Sequence, residues 1–235
     1  MGQYWAFVNV DSRQRTGFLG KLGEFFFSDE TDDLMYLLAI PVCPLRTWSR
    51  DPVMAGTWAG NRVICLGDYA RTWPEEKVSP NDLTPGQLSN VTNPMNIKEA
   101  YPMDRVWVLR NLTKKIFVRS NGIPTPGEDG TMSYGNHQGF IGEPGLGNVL
   151  LSRIAWSDDS SISMTYEDAE DISRGSWAAD RFDVRGYDEV KEELARDGWL
   201  DHTRVEAKRL YGIWISERGD EGDFPEEPET VPESD

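Results

Sequence analysis

A seven-residue string occurs twice in this chain and constrains its backbone more than any other feature. Gly56-Thr57-Trp58-Ala59-Gly60-Asn61-Arg62 returns as Gly175-Ser176-Trp177-Ala178-Ala179-Asp180-Arg181, and five residues after each arginine stand Gly67-Asp68-Tyr69 and Gly186-Tyr187-Asp188. Four of the seven positions are identical and the other three exchange similar residues. Glycine permits an unusual backbone angle, Asn or Asp bonds to its own turn, and Trp buries a large ring. Each copy reads as a tight corner, pinned by its Trp, that delivers the chain into a strand at its arginine. The 119-residue separation predicts two related halves, near 1–120 and 121–218, or two equivalent corners of one sheet.

The repeated arginines admit two readings. As ties, Arg62 and Arg181 hold carbonyls or carboxylates of a neighbouring loop, with Asp68 and Asp188 as the expected acid partners. As binding groups, they sit in a cleft and hold an anionic ligand, with Trp58, Trp177 and Trp73 among the ligand-binding candidates. The strings WAGNRVICLGDYA, DRVWVLRNLTKKIFVRS and RGSWAADRFDV, with the opening MGQYW, resemble a family of uncharacterised fungal intracellular proteins carrying two Trp-Ala-Gly-Asp-Arg corners. The resemblance spans most of residues 1–190 and implies a fungal origin and no mechanism. Asn61 and Ala179 depart from the commoner form of the corner. At 61 this matters for chemistry, because an amide cannot exchange a proton as a carboxylate does.

Charge narrows the partners. The chain carries 24 basic and 40 acidic side chains, a formal −16, and eight of those acids lie in residues 220–235, which hold no Lys or Arg. Residues 219–235 are proline-rich and nearly without apolar side chains, so they read as a disordered, solubilising acidic tail, or as a nucleic-acid mimic for a basic partner. Overall acidity opposes direct binding to DNA or RNA, whose affinity draws on Lys and Arg displacing counterions. The basic run Arg105–Arg119 reads as a hairpin with a charged edge. No window approaches 18 apolar residues, and Met1–Val10 lacks the pattern of a secretory signal, so no membrane is expected. Cys43 and Cys65 form neither a disulfide framework nor a zinc spacing. A cytoplasmic, reducing location fits best.

With 38% apolar residues the chain has enough to bury for an independent core, and its body, residues 1–218, is expected to form one domain. Strands are predicted over Gln3–Val10, Arg62–Leu66 and Arg181–Val184, and as hairpins over 105–110 with 115–119 and over 149–156 with 161–167. Helices are predicted near 31–39 and over Tyr187–Asp197, while Arg204–Ile215 fits helix and strand equally. Residues 122–147, with eight glycines, read as a long loop. The pattern is α+β with a mainly antiparallel sheet and a few short helices.

Chemical motifs are sparse. There are two histidines, His137 and His202, and no nucleotide, kinase or nucleophile-elbow fingerprint, so neither a metal nor another cofactor is expected. Acid or base candidates are Asp68, Asp180, Asp183, Glu167 and His137, with Tyr166 beside them. Trp48 and Trp73, in proline-rich loops, are candidates to stack on a ligand. The sequence therefore predicts a soluble intracellular binding domain for a small molecule or protein. The alternative is a metal- and nucleotide-independent hydrolase, isomerase or lyase using an Arg anion clamp with an Asp or His as acid or base.

Overall fold

The computed structural model describes residues 2–28, 30–43, 55–74, 76–78, 88–90, 101–126, 132–134, 144–166, 171–218 and 224–226. They form an α+β fold on a mainly antiparallel sheet. In sequence its strands are β1 (Trp5–Asn9), β2 (Gln14–Arg15), β3 (Arg62–Gly67), β4 (Ser89–Asn90), β5 (Trp107–Asn111) and β6 (Ile116–Arg119). After a separate two-stranded ribbon, β7 (Thr125–Pro126) with β8 (Met132–Ser133), come β9 (Ala155–Trp156), β10 (Asp180–Gly186) and β11 (Leu200–Asp201). Across the sheet the order is β11-β6-β5-β10-β3-β1-β2-β4, with β9 beside β3. The central four strands, β5, β10, β3 and β1, are antiparallel neighbours, and among the described residues parallel pairing is confined to the two-residue strands β4, β9 and β11 and a single bridge from Ala39 to Val184.

Alternation along these strands sends every second side chain to the same face. On one face Trp5, Phe7, Val63, Cys65, Leu109 and Phe182 join the main core against α2 (Glu30–Leu38) and α3 (Leu146–Ile154). Acidic Glu30, Asp32 and Asp33 favour the N-terminal turn of α2, and Leu34, Leu37 and Leu38 at its far end are fully buried. On the other face, α4 (Tyr187–Arg196) seats Val190 and Leu194 on Val108 and Phe117. The segment after β3 instead lays Trp73 and Val78 over Val8, Ile64 and Leu66. A four-residue helix, α1 (Leu22–Phe25), follows the β1–β2 hairpin. The last helix is α5 (Thr203–Arg218), which buries Ala207, Leu210, Ile213 and Trp214 and so decides the segment that fitted two patterns. Among the described residues no helix is long and apolar enough to cross a membrane.

Two expectations need correction. Residues 149–156 are not the first arm of a hairpin, because α3 runs to Ile154 and only Ala155–Trp156 extend as a strand, beside β3. A short apolar run buried on all sides carries no period that separates strand from helix. The helix is set by its start, where Asn148 Oδ1 accepts the Gly145 amide at 2.8 Å. In the described part of the tail, Phe224 packs against Tyr211 and Tyr134. The ends of the 122–147 segment belong to regular elements, β7 and α3.

Candidate functional site

The two corners meet head to head. β3 and β10 pair at their starts, with Arg62 opposite Arg181 and Val63 opposite Asp180. Both corners make the same backbone bonds. Trp58 and Trp177 donate to Leu37 and Arg153, at the ends of α2 and α3, and Asn61 and Asp180 donate back to those Trp carbonyls. The fifth residue of each corner reaches across to the other: Gly60 donates to Phe182 at 2.7 Å and Ala179 to Val63 at 2.9 Å. Both fifth residues have positive φ, +82° at Gly60 and +60° at Ala179, so the corner imposes the left-handed conformation even on an alanine. Gly175 is fixed for a different reason, since a Cβ there would run into the Arg153 carbonyl.

The correspondence extends outward. Asn9 and Asn111 both turn their side-chain oxygens onto hairpin amides, of Ser12 and Lys114, and Arg13 and Lys115 close those hairpins at φ +57° and +53°. The Arg62 amide donates to Asp11 and the Arg181 amide to Thr113, at equivalent hairpin positions. Beyond each helix the chain runs beside the other copy's strand. Ile40 donates to Val184 of β10, while Ala155 pairs with Cys65 of β3.

The arginines do not use Asp68 or Asp188. Both converge on Asp11: Arg62 Nε and Nη2 lie 2.7 Å from Oδ1, and Arg181 Nη1 lies 2.7 Å from Oδ2. Arg62 also donates to the Lys77 carbonyl at 2.8 Å and Arg181 to the Gly60 carbonyl at 3.0 Å. Burial pushes the Asp11 carboxyl up, but the Arg62 hydrogen bonds and the charges of Arg62 and Arg181 outweigh it, leaving a net depression below the usual 3.8. Asp188 pairs with Lys191 instead, and Asp68 accepts the Tyr4 amide at 3.0 Å. The tie reading thus has the right arginines and the wrong acid.

Asp180 has no exposed side-chain surface. Lys77 Nζ stands 2.8 Å from its Oδ1, Asn111 donates to its Oδ2 at 2.8 Å, and Lys114 is 3.9 Å away. Lys77 therefore joins the corners, through its ammonium to Asp180 and its carbonyl to Arg62. Asp183 is held bidentately by Arg110, which also meets Glu193. Arg105 and Arg119, from the same basic run, pair with Glu189 and Asp201. Trp58, Trp73 and Trp177 are 0, 2 and 4% exposed, which leaves their ring faces in the cores rather than open to a ligand. Tyr166 packs at the edge of the main core. Trp48, Glu167 and His137 lie outside the described residues.

These groups do not converge. Asp68 follows the last residue of β3 and Arg62 is its first, which separates them by about 20 Å at strand rise. At the Asp68 end the outer face holds a pocket of about 210 Å³, with Ala6, Val8, Leu66 and Leu88 supplying apolar walls and Arg15 and Asp68 the charge. Phe18, half exposed, also lines it, with the Arg15 guanidinium 4.9 Å from its ring centre, and half-exposed Tyr4 is bonded to Asp68. The β5–β6 hairpin stands to β10 as β1–β2 stands to β3, and there the counterparts of Ala6 and Arg15 are Val108 and Phe117, the residues α4 covers. The pocket thus lies on the part of the β1–β2 hairpin that corresponds to the seat of a helix on β5–β6. Among the described residues 68–74 and 76–78 the chain after β3 makes only turns, with Lys77 and Val78 donating back to the Pro74 carbonyl.

Sequence reasoning missed Asp11, Lys77 and this pocket. The strings Val8-Asn9-Val10-Asp11 and Arg110-Asn111-Leu112-Thr113 share only their asparagine and place Thr113 opposite Asp11, so the sequence carried no signal for this acid. The chain matches no known protein-family model, no curated protein and no solved structure, so its functional reading rests on this geometry.

Proposed function

We propose that this is a cytoplasmic binding protein whose ligand is a small amphipathic molecule held in the pocket between Ala6, Leu66 and Phe18. The observation that carries this reading is the difference between the two outer faces: α4 closes one, and the other keeps a pocket lined by apolar groups with one cation and one carboxylate. Apolar walls with a few polar groups are the usual makeup of a ligand site. The volume is below the roughly 300–1,000 Å³ of drug-sized sites, so the ligand is a small one. An apolar body would contact Val8 and Leu66, while a charged end would meet Arg15 or Asp68. The enzyme alternative has weaker support: Asp68 lines the pocket, but the arginine pair and Asp180 lie at the far end of β3. Two free thiols, Cys43 and buried Cys65, agree with a reducing compartment.

Benzoate and benzylamine, which share a ring and differ in charge, are suitable probes for amide-resolved NMR. Binding of either should shift the amides of Ala6, Arg15 and Leu66, and the preferred probe identifies the charge that faces the ligand. Ala6→Leu, which fills the pocket from β1, should abolish those shifts while the amide spectrum elsewhere stays that of the folded chain. The reading fails when neither probe shifts these amides at tens of millimolar, or when Ala6→Leu binds as the wild type does.

A further inference from the structure

The acidic tail has one aromatic residue. Residues 219–235 hold eight carboxylates and no base, and a segment of this kind stays solvated unless something specific holds it. Phe224 is held. Its ring lies edge-on to Tyr211 of α5, with centroids 5.5 Å apart and planes at 77°, and edge-on to Tyr134 beside β8, at 6.4 Å and 83°. The Tyr134 hydroxyl donates to the Pro225 carbonyl at 3.4 Å. Tyr211 shares one stripe of α5 with Arg204 and Lys208, at spacings i, i+4 and i+7, and both basic residues are exposed. The same surface therefore offers two tyrosine rings to the phenylalanine and positive charge to the carboxylates around it.

We propose that the notch between Tyr134 and Tyr211 is a docking site for peptides with an aromatic–proline pair among acidic residues, and that this chain's own tail is its built-in occupant. The complementarity is of two kinds. Edge-to-face rings prefer the separations seen here, and the proline after the phenylalanine, its φ fixed by the ring, presents its own carbonyl to Tyr134 with less backbone freedom to lose. Asp220, Glu221, Asp223, Glu226 and Glu227 flank the pair, opposite in sign to Arg204 and Lys208. Among the described residues the contact holds one ring between two others and one long hydrogen bond, and the proposal requires that docked and released tails exchange. A tethered segment acts at an effective concentration of about 1 mM, which any peptide in trans must overcome. The tail thereby sets a threshold: only partners with the same chemistry and higher affinity or concentration displace it.

The test uses the full chain, the variant Phe224→Ala, and a synthetic peptide of residues 219–235 as probe. With a dissociation constant of about 0.1 mM and the effective concentration above, the peptide should bind Phe224→Ala about tenfold more tightly than wild type, whose own tail competes. Its contact should shift the amides of Tyr134, Lys208 and Tyr211. The same peptide with Ala in place of its Phe should not bind, and Lys208→Glu in the Phe224→Ala background should weaken binding at least threefold and more so at low salt. Equal binding to both chains, undetectable binding to Phe224→Ala at several millimolar, or equal binding of the Ala peptide would each overturn the proposal. Phe224 lies in the tail and outside the cores, so a folded amide spectrum of the variant is expected and confirms that the comparison is valid.

Discussion

The corner at residues 56–62 and the corner at 175–181 impose one backbone on two sets of side chains. Their Trp residues hang from the ends of equivalent helices, their fifth residues reach across to each other's strands, and their arginines stand face to face. Their polar partners differ. Where the second corner has Asp180, buried and bonded to Asn111 and Lys77, the first has Asn61. Where the second hairpin offers Thr113 to the arginine amide, the first offers Asp11, which collects both arginines. Gly, Trp and Arg thus specify the corner, and the residues around it decide how charge is balanced.

The largest break in this comparison should come from making the second corner like the first at its acid. Asp180→Asn removes the carboxylate from a site with no exposed side-chain surface and leaves Lys77 and Lys114 without it. Removing one partner of a buried ion pair costs about 3–5 kcal/mol, and because Lys77 is 27% exposed and can recover some water, the lower end, about 3 kcal/mol, is expected. Urea unfolding measures it, and a loss under about 1 kcal/mol would mean that Lys77 does not hold the corners together.

The arginines should then separate. Arg62 makes two bonds to one oxygen of Asp11 and one to the Lys77 carbonyl, with 29% of its side chain exposed, whereas Arg181 is 47% exposed. Arg62→Met is expected to cost about 2 kcal/mol and Arg181→Met less than about 1, as for an exposed pair. The shared acid gives a pH signature. Its carboxyl titrates below its unfolded value of 3.8, so the stabilisation it provides is complete above that pH and is lost as pH falls through the lower folded value. The stability gap between wild type and Asp11→Asn should close below pH 3.8. A constant gap from pH 6 to pH 2.5 would show that the carboxylate's charge does not hold the arginines.

Exchanging the fifth residues should give effects of opposite sign. Gly60→Ala places a Cβ in open space, so the only cost is the left-handed angle, about 1 kcal/mol. Ala179→Gly removes that strain and gains up to about 1 kcal/mol, less the freedom glycine adds to the unfolded chain. Thermal unfolding of both variants and of the double exchange tests whether the corners impose the same angle.

The corners were legible because they depend on residue types with few conformational alternatives: a glycine where a Cβ has no room, a Trp too large to leave in water, an Arg that needs an acid. The acid was not legible, since Asp11 lies 51 residues before Arg62 and nothing local marks it as the partner. Periodicity found α4, whose Val190 and Leu194 are its only buried residues, and failed for α3, which is buried almost all round. The pocket was hidden for another reason. It corresponds to ground that a helix covers on the β5–β6 hairpin, and it becomes visible only when that hairpin and β1–β2 are compared in space.

A gain rather than a loss is the sharpest test of how far the two corners correspond. Asn111 turns its oxygen onto the Thr113 and Lys114 amides and donates its Nδ2 to Asp180. Asn9 turns its oxygen onto Ser12 in the same way, yet its buried Nδ2 has no partner among the described residues, and the position equivalent to Asp180 is Asn61. An unpaired buried donor costs about 1–3 kcal/mol. Asn61→Asp replaces an amide oxygen, which the Asn9 Nδ2 does not meet, by the stronger carboxylate acceptor that the other corner has, at the expense of desolvating a new charge, so a net gain of about 1 kcal/mol at pH 7 is expected. Hydrogen bonding to the charged form lowers the folded pKa of that carboxyl, so the gain should be complete above the unfolded value of about 3.9 and lost at lower pH. In an Asn9→Ala background the gain should vanish, since the donor is gone. A gain that survives that change would come from general charge effects near Arg62 and Arg181, and the two corners would then correspond in backbone alone.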